Sequence, residues 1–328
     1  MRFTLFAAVV LACAFAGCRL NDIPTEFPTP QAPPPATPIP KLALKPDAEL
    51  EKQIAKIAEE AKGKVGVAAV VLETGEAAFV NADQHYPMQS VYKLPISMAV
   101  MEQVRQGKLD LDEKIGVTKE DFVREGQRSP LRDQNPNGGE FTIRELTRLA
   151  LVESDGSASD VLIRVAGGAD EIQSYLTQIG IQDIKVVNTE KEIGRDWETQ
   201  YQNWATPTAA VELLRRLEAS KTHGPENVSH DYNEADEIWH LMTISNPGAK
   251  RLKGLLPNGI IFAHKTGTSG TQNGITAATN DIGLQELSNG RQLAIAVFVS
   301  DSPADEKTRE AVIAKIAKAC WDKWSKKN

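Results

Sequence analysis

The chain is poor in cysteine, and the three that it has cannot pair inside a folded domain: Cys13 sits in an N-terminal apolar run, Cys18 just beyond it, and Cys320 alone near the C-terminus. A mature domain left with one thiol builds no internal disulfide, so its stability must come from packing, and Cys320 reads as a core residue of a C-terminal helix. A basic excess is missing too. Lys and Arg total 37 against 44 Asp and Glu, leaving a net charge of −7 and a pI near 5.4, which argues against nucleic acid or an anionic membrane surface as partner. The five histidines, His85, His223, His230, His240 and His264, form no HxH or HExxH spacing, so a zinc hydrolase is excluded on ligands and neither metal nor cofactor is expected. No internal repeat is present, and no apolar run is long enough to span a bilayer.

What is there is ordinary globular material, 41% hydrophobic and 25% charged over 328 residues, enough for one large core or two subdomains. Residues 1–17 read as a targeting segment, with Arg2 as the positive start and residues 5–16 as its apolar run. The run closes on Phe15-Ala16-Gly17-Cys18, which resembles a bacterial lipobox. Cys18 would then be the lipidated N-terminus; the alternative is an ordinary secretory signal cleaved nearby. The Pro/Thr/Ala-rich stretch that follows favours the lipoprotein, because residues 18–45 read as a disordered tether between a surface and a domain. Arg19 stands where an Asp would retain the protein at the inner membrane, so the expected location is the periplasm, attached to the outer membrane.

The folded part reads as residues 46–328. A helical period runs from about Lys45 to Gly63, followed by short β-rich runs at 65–72 and 77–80. Residues 90–106 form an almost uniformly apolar helix. Thr142 and Glu145 make a capping box for the next one, and helices follow at 157–165, 171–178, 206–217 and 236–245. Residues 130–139 and 186–203 lack a steady period and read as loops, the second long enough to be functional. Strands at 260–265, 274–284 and 292–301, then a helix over 306–323, close the chain. The expected fold is α+β: a five-stranded antiparallel sheet flanked by helices, with an inserted all-helical subdomain. The α/β part is assigned to about 46–86 and 257–328, the helical part to about 87–256.

Chemistry enters at Ser90 and Lys93, which share a helix face and lie in apolar surroundings. A serine hydroxyl needs a base to become a nucleophile, and a buried lysine is a candidate. A Ser and a Lys three apart also recur by chance. The weight comes from three further clusters: Ser154-Asp155-Gly156 before a helix, Glu190 in the long loop, and Lys265-Thr266-Gly267-Thr268 at a strand end. In this order, SxxK, SDx, loop Glu and KTG resemble the active-site set of class A serine β-lactamases. The runs Pro87-Met88-Gln89-Ser90, Gln200-Tyr201-Gln202-Asn203-Trp204, Arg251-Leu252-Lys253-Gly254-Leu255-Leu256-Pro257 and His264-Lys265-Thr266-Gly267-Thr268-Ser269-Gly270 are similar to the PER and VEB branch of extended-spectrum enzymes.

The resemblance implies a monomer that hydrolyses small-molecule β-lactams through an acyl-serine. Ser90 would attack, the N–H groups of Ser90 and Thr268 would hold the oxyanion, and Glu190 would activate the deacylating water. Whether Lys93 or Glu190 takes the Ser90 proton stays open. Ser154 would relay a proton to the lactam nitrogen, and Lys265 would keep the potential positive. Thr266, Gly267, Thr268 and Arg251 would meet the substrate carboxylate, with Gly156 beside the acyl amide. Glu190 is preferred to Glu192 by its distance along the chain from Trp204. Two departures stand out. Gly156 replaces the usual Asn of SDN, which predicts a looser acyl-amide pocket, and Gly194 replaces the Asn that normally helps hold the deacylating water. The alternatives are a penicillin-binding DD-peptidase, or a tethered lipoprotein that binds β-lactams without turnover.

Overall fold

Period-two patterning sorts the strands onto two buried faces. Strand β1 (Lys64–Val71) sends Ala68 and Val70 to one side, and Val65, Val67, Ala69 and Val71 to the other. The computed structural model describes residues 42–221 and 233–326. The signal segment, Cys18, most of the tether, His223 and His230 lie outside the described residues. The remaining long strands are β2 (Glu76–Val80), β3 (Phe262–Thr268), β4 (Ile275–Glu286) and β5 (Gln292–Ser302), and their order across the sheet is β2-β1-β5-β4-β3, antiparallel throughout. Two two-residue strands extend it: Lys45–Pro46, parallel to β2, and Thr271–Gln272, against β4. The helix expected from Lys45 therefore starts later, because Asp47 accepts the N–H groups of Glu49 and Leu50 and caps α1 (Ala48–Ala58).

One sheet face packs on α1 and on the C-terminal α8 (Glu306–Trp324), with Leu50, Ile54, Val312, Ile316 and Cys320 in that core. The other face meets the helical part, organised around α2 (Lys93–Arg105), whose residues from Lys93 to Met101 are all buried. Around it stand α3 (Ile143–Val152), α4 (Gly156–Val165) and α5 (Ala169–Gln178), while α6 (Pro207–Ser220) lies on the sheet against β1 and β5 and α7 (Glu234–Thr243) packs against both α2 and α6. The capping box of Thr142 and Glu145 opens α3. The apolar helix expected over 90–106 divides in two: Gln89–Tyr92 is a 3₁₀ turn and the α-helix begins at Lys93.

Stretches read as loops hold more structure than their sequence suggests. Pro130–Gln134 is a short helix capped by Ser129, Gly139–Thr142 pairs with Lys114–Val117, and Glu190–Ile193 is one helical turn inside the long loop. Tyr86–Pro87, Ile184–Lys185 and Trp204–Ala205 make a small three-stranded patch at the base of that loop. Elements of two to five residues are too short to show a period, so pattern reading passes over them.

Candidate active site

The site lies where the sheet edge meets the start of α2. Ser90 sits in the 3₁₀ turn, behind Gln89, whose φ of +48° lies in the left-handed region. A non-glycine residue there costs roughly 1–2 kcal/mol, and Gln89 is held by its side-chain amide donating to Gln200 Oε1 at 2.8 Å. Strand β3 passes close by. A Cβ on Gly267 would stand 2.2 Å from the Met88 carbonyl oxygen, so glycine is what lets this strand lie against the nucleophile turn.

Lys93 is 1% exposed, and its ammonium has three donors to place. It reaches Ser90 Oγ at 2.9 Å, the Ser154 carbonyl oxygen at 2.9 Å and Glu190 Oε2 at 3.1 Å. The Tyr92 hydroxyl donates to the same Glu190 oxygen at 2.9 Å; burial, reinforced by the Glu190 charge, lifts the phenol well above its ordinary pKa and keeps it a donor. Lys265, fully buried, donates to Ser154 Oγ at 3.0 Å. Burial and the nearby Lys93 charge push its amine well below the ordinary lysine range. Ser154 has a φ of +57°. Asp155 anchors that corner, accepting Ala158 N–H at 2.9 Å, the Ser129 hydroxyl at 3.0 Å and Leu131 N–H at 2.6 Å.

The structure thus brings Ser90, Lys93, Ser154, Glu190 and Lys265 together; Ser90, Ser154 and Glu190 border a cleft of about 620 Å³ with Thr266 and Thr268, while the two lysines are buried. Glu192 points elsewhere: its carboxylate accepts the N–H and hydroxyl of Thr189 at 2.8 and 2.9 Å, closing a capping box on an exposed surface.

Two residues sit in tighter surroundings than their sequence suggests. A Cβ on Gly156 would meet Glu190 Cγ at 2.7 Å and Val123 Cγ1 at 3.0 Å, so these side chains fill the space at its Cα. Arg251 does not present a free fork to the cleft. It is 4% exposed and donates to the carbonyl oxygens of Gly267 (3.2 Å) and Asn280 (2.9 Å), to Thr268 Oγ1 (2.8 Å) and to Glu310 (3.2 Å). His264, buried next to Lys265, is engaged by Asp281 at 2.9 Å.

Sequence reasoning missed Asp160. It lies on α4, one turn beyond Gly156, and its two carboxylate oxygens accept the N–H groups of Glu190 (2.6 Å) and Lys191 (2.9 Å). Burial, its largest influence, raises its pKa to about 7 against the opposing backbone hydrogen bonds. A lone acid in the otherwise uncharged run Gly156-Ser157-Ala158-Ser159-Asp160-Val161-Leu162-Ile163 was the available signal.

A serine bonded to a buried lysine that also meets a carboxylate, beside a second serine bonded to a second buried lysine, is an acyl-transfer arrangement, and on this sheet-plus-helical-lobe fold it marks a serine hydrolase. The chain belongs to the beta-lactamase enzyme family, whose family model matches residues 49–324. It is 38% identical to beta-lactamase VEB-1 of Pseudomonas aeruginosa, over 83% of this chain and 89% of that one. It is also 38% identical to extended-spectrum beta-lactamase PER-1 of the same organism, over 83% and 86%. The crystal structure of a beta-lactamase from Chitinophaga pinensis superposes with a TM-score of 0.78 at 37% identity, covering 84% of this chain and 99% of that one. The protein is a class A serine β-lactamase of the PER and VEB kind, and it hydrolyses β-lactams.

Proposed function

We propose that Ser90, Lys93, Ser154, Glu190 and Lys265 carry the hydrolysis, and the observation that carries this reading is the position of Lys93 Nζ between Ser90 Oγ and Glu190 Oε2. In its amine form Lys93 takes the proton from Ser90 Oγ and later passes it on to recharge Lys265, which leaves Glu190 a free carboxylate for the second step. Ser90 Oγ then bonds to the lactam carbonyl carbon, and the N–H groups of Ser90 and Thr268 receive the oxyanion, each such donor being worth roughly 10²–10³ in rate. As the lactam C–N bond breaks, Ser154 protonates the nitrogen and is reprotonated by Lys265, whose depressed pKa suits it to release a proton. Glu190 next takes a proton from water, the hydroxide adds to the acyl carbon, and the ester bond to Ser90 breaks with the proton returning to Oγ. General-base assistance of this kind contributes roughly 10²–10⁴. Thr266 and Thr268 meet the ring carboxylate, with Arg251 orienting the Thr268 hydroxyl.

The substrate range is read as extended-spectrum. The rebuilt loop over 186–203 and the cleft volume of about 620 Å³ support it, as does the name of the relative PER-1. The expected outcome is turnover of an oxyimino-cephalosporin with kcat/KM within about tenfold of that for a simple chromogenic cephalosporin; loss of more than about a thousandfold would confine the enzyme to small acyl groups. The protein is further read as a monomer in the periplasm, lipidated at Cys18 and held at the outer membrane by the tether.

A further inference from the structure

Gly194 stands where a side chain would collide with Gln127: a Cβ built there lies 2.5 Å from Gln127 Cδ and 2.6 Å from both of its amide heteroatoms. The Gln127 amide therefore occupies the place of the side chain that residue 194 lacks. It arrives from the segment between Asp121 and Pro130, which borders the cleft through Gly126, Gln127 and Arg128. There Oε1 accepts Arg124 N–H at 3.0 Å, which fixes the amide's orientation, and Nε2 donates to the Glu190 carbonyl oxygen. Arg124 Nε donates to the next carbonyl, Lys191 O, at 3.0 Å. On its other side the Glu190 peptide is held through its N–H by Asp160. The backbone of Glu190 is thus gripped from both ends by side chains outside its own loop. The turn's own hydrogen bonds, Ile193 N–H to Thr189 O at 3.0 Å, Gly194 N–H to Glu190 O at 3.1 Å and the Thr189–Glu192 capping box, hold its shape, while these outside contacts tie it to the rest of the site.

We propose that Gln127 is a positioning residue for deacylation, setting Glu190 through its backbone carbonyl and taking over the space that an amide side chain at 194 would fill. The loss of a side chain at Gly194 and the presence of Gln127 are then one paired adaptation. The inference rests on Glu190 being the deacylating base.

The test uses the mature protein and measures acylation and deacylation separately, by rapid quench and intact mass with a cephalosporin. Gln127→Ala should slow deacylation by about ten- to a hundredfold, since small misplacements of a reacting group cost on that order, while acylation changes by less than about threefold. Gln127→Met, which keeps the volume and lacks the amide, should do the same with an unchanged Tm. Gly194→Asn alone should also slow deacylation, because its side chain competes with Gln127 for space. The double variant Gln127→Ala/Gly194→Asn should return to within about threefold of the parent. The proposal is overturned if Gln127→Met deacylates normally, if both steps fall together in it, or if the double variant shows the two losses compounded. A parent in which Glu190→Gln leaves deacylation intact would instead remove the reading of Glu190 on which it rests.

Discussion

At the scale of single residues the site is governed by groups taken out of water. Lys93, Lys265 and Asp160 are all buried, and burial disfavours the charged forms of Lys265 and Asp160. Asp160 makes this measurable. Its folded pKa of about 7 lies above the ordinary value of 3.8, so between the two the folded protein keeps a proton that the unfolded chain has released. The stability owed to this group is greatest at acid pH and declines as pH rises through that window. Asp160→Asn cannot ionise. The difference in Tm between variant and parent should shift in favour of the variant as pH is raised from about 4.5 to about 7; a constant difference would show that Asp160 is ionised throughout.

At the scale of elements the loop over 186–203 deserves its length because Asn203 ties its two ends. Its buried side chain accepts the N–H groups of Val187 and Asn188 at 2.8 and 2.9 Å and donates to Asn188 O at 2.8 Å. Asn203→Ala leaves those backbone groups unpaired, at a cost of about 1–3 kcal/mol. It should lower Tm and expose the loop to limited proteolysis; an unchanged cleavage pattern would mean that Gln89, Asp160 and Gln127 hold the loop without it. Helices with caps and full periods were legible in the sequence, as Asp155, Thr142 and the α2 run illustrate. So were the long strands, as β-rich runs between turn signals. The pairing of Lys114–Val117 with Gly139–Thr142 was not, since four residues without apolar alternation look like any loop. Ser90, Lys93, Glu190 and Lys265 were readable because their motifs keep a fixed order along the chain. Asp160 and Gln127 act only through the tertiary approach of α4 and of the 121–130 segment to a remote loop, and nothing in their local sequence announces that approach.

At the scale of the whole molecule, two cores share one sheet, and the cleft opens at the seam between the sheet edge and the helical part. The buried lysines come from opposite sides of that seam, Lys93 from α2 and Lys265 from β3. Beyond the folded part, metabolic labelling with palmitate should mark the full-length protein and fail in Cys18→Ser; an unlabelled mature protein beginning past Cys18 would instead indicate a simple secretory signal. The division of labour around Ser90 is the central claim, and intact-mass analysis of Glu190→Gln mixed with a cephalosporin tests it most directly. One equivalent of acyl adduct on Ser90 that persists for minutes, where the parent clears it within its turnover time, is the expected result. A variant that turns over as the parent does, or that never acylates, would contradict it.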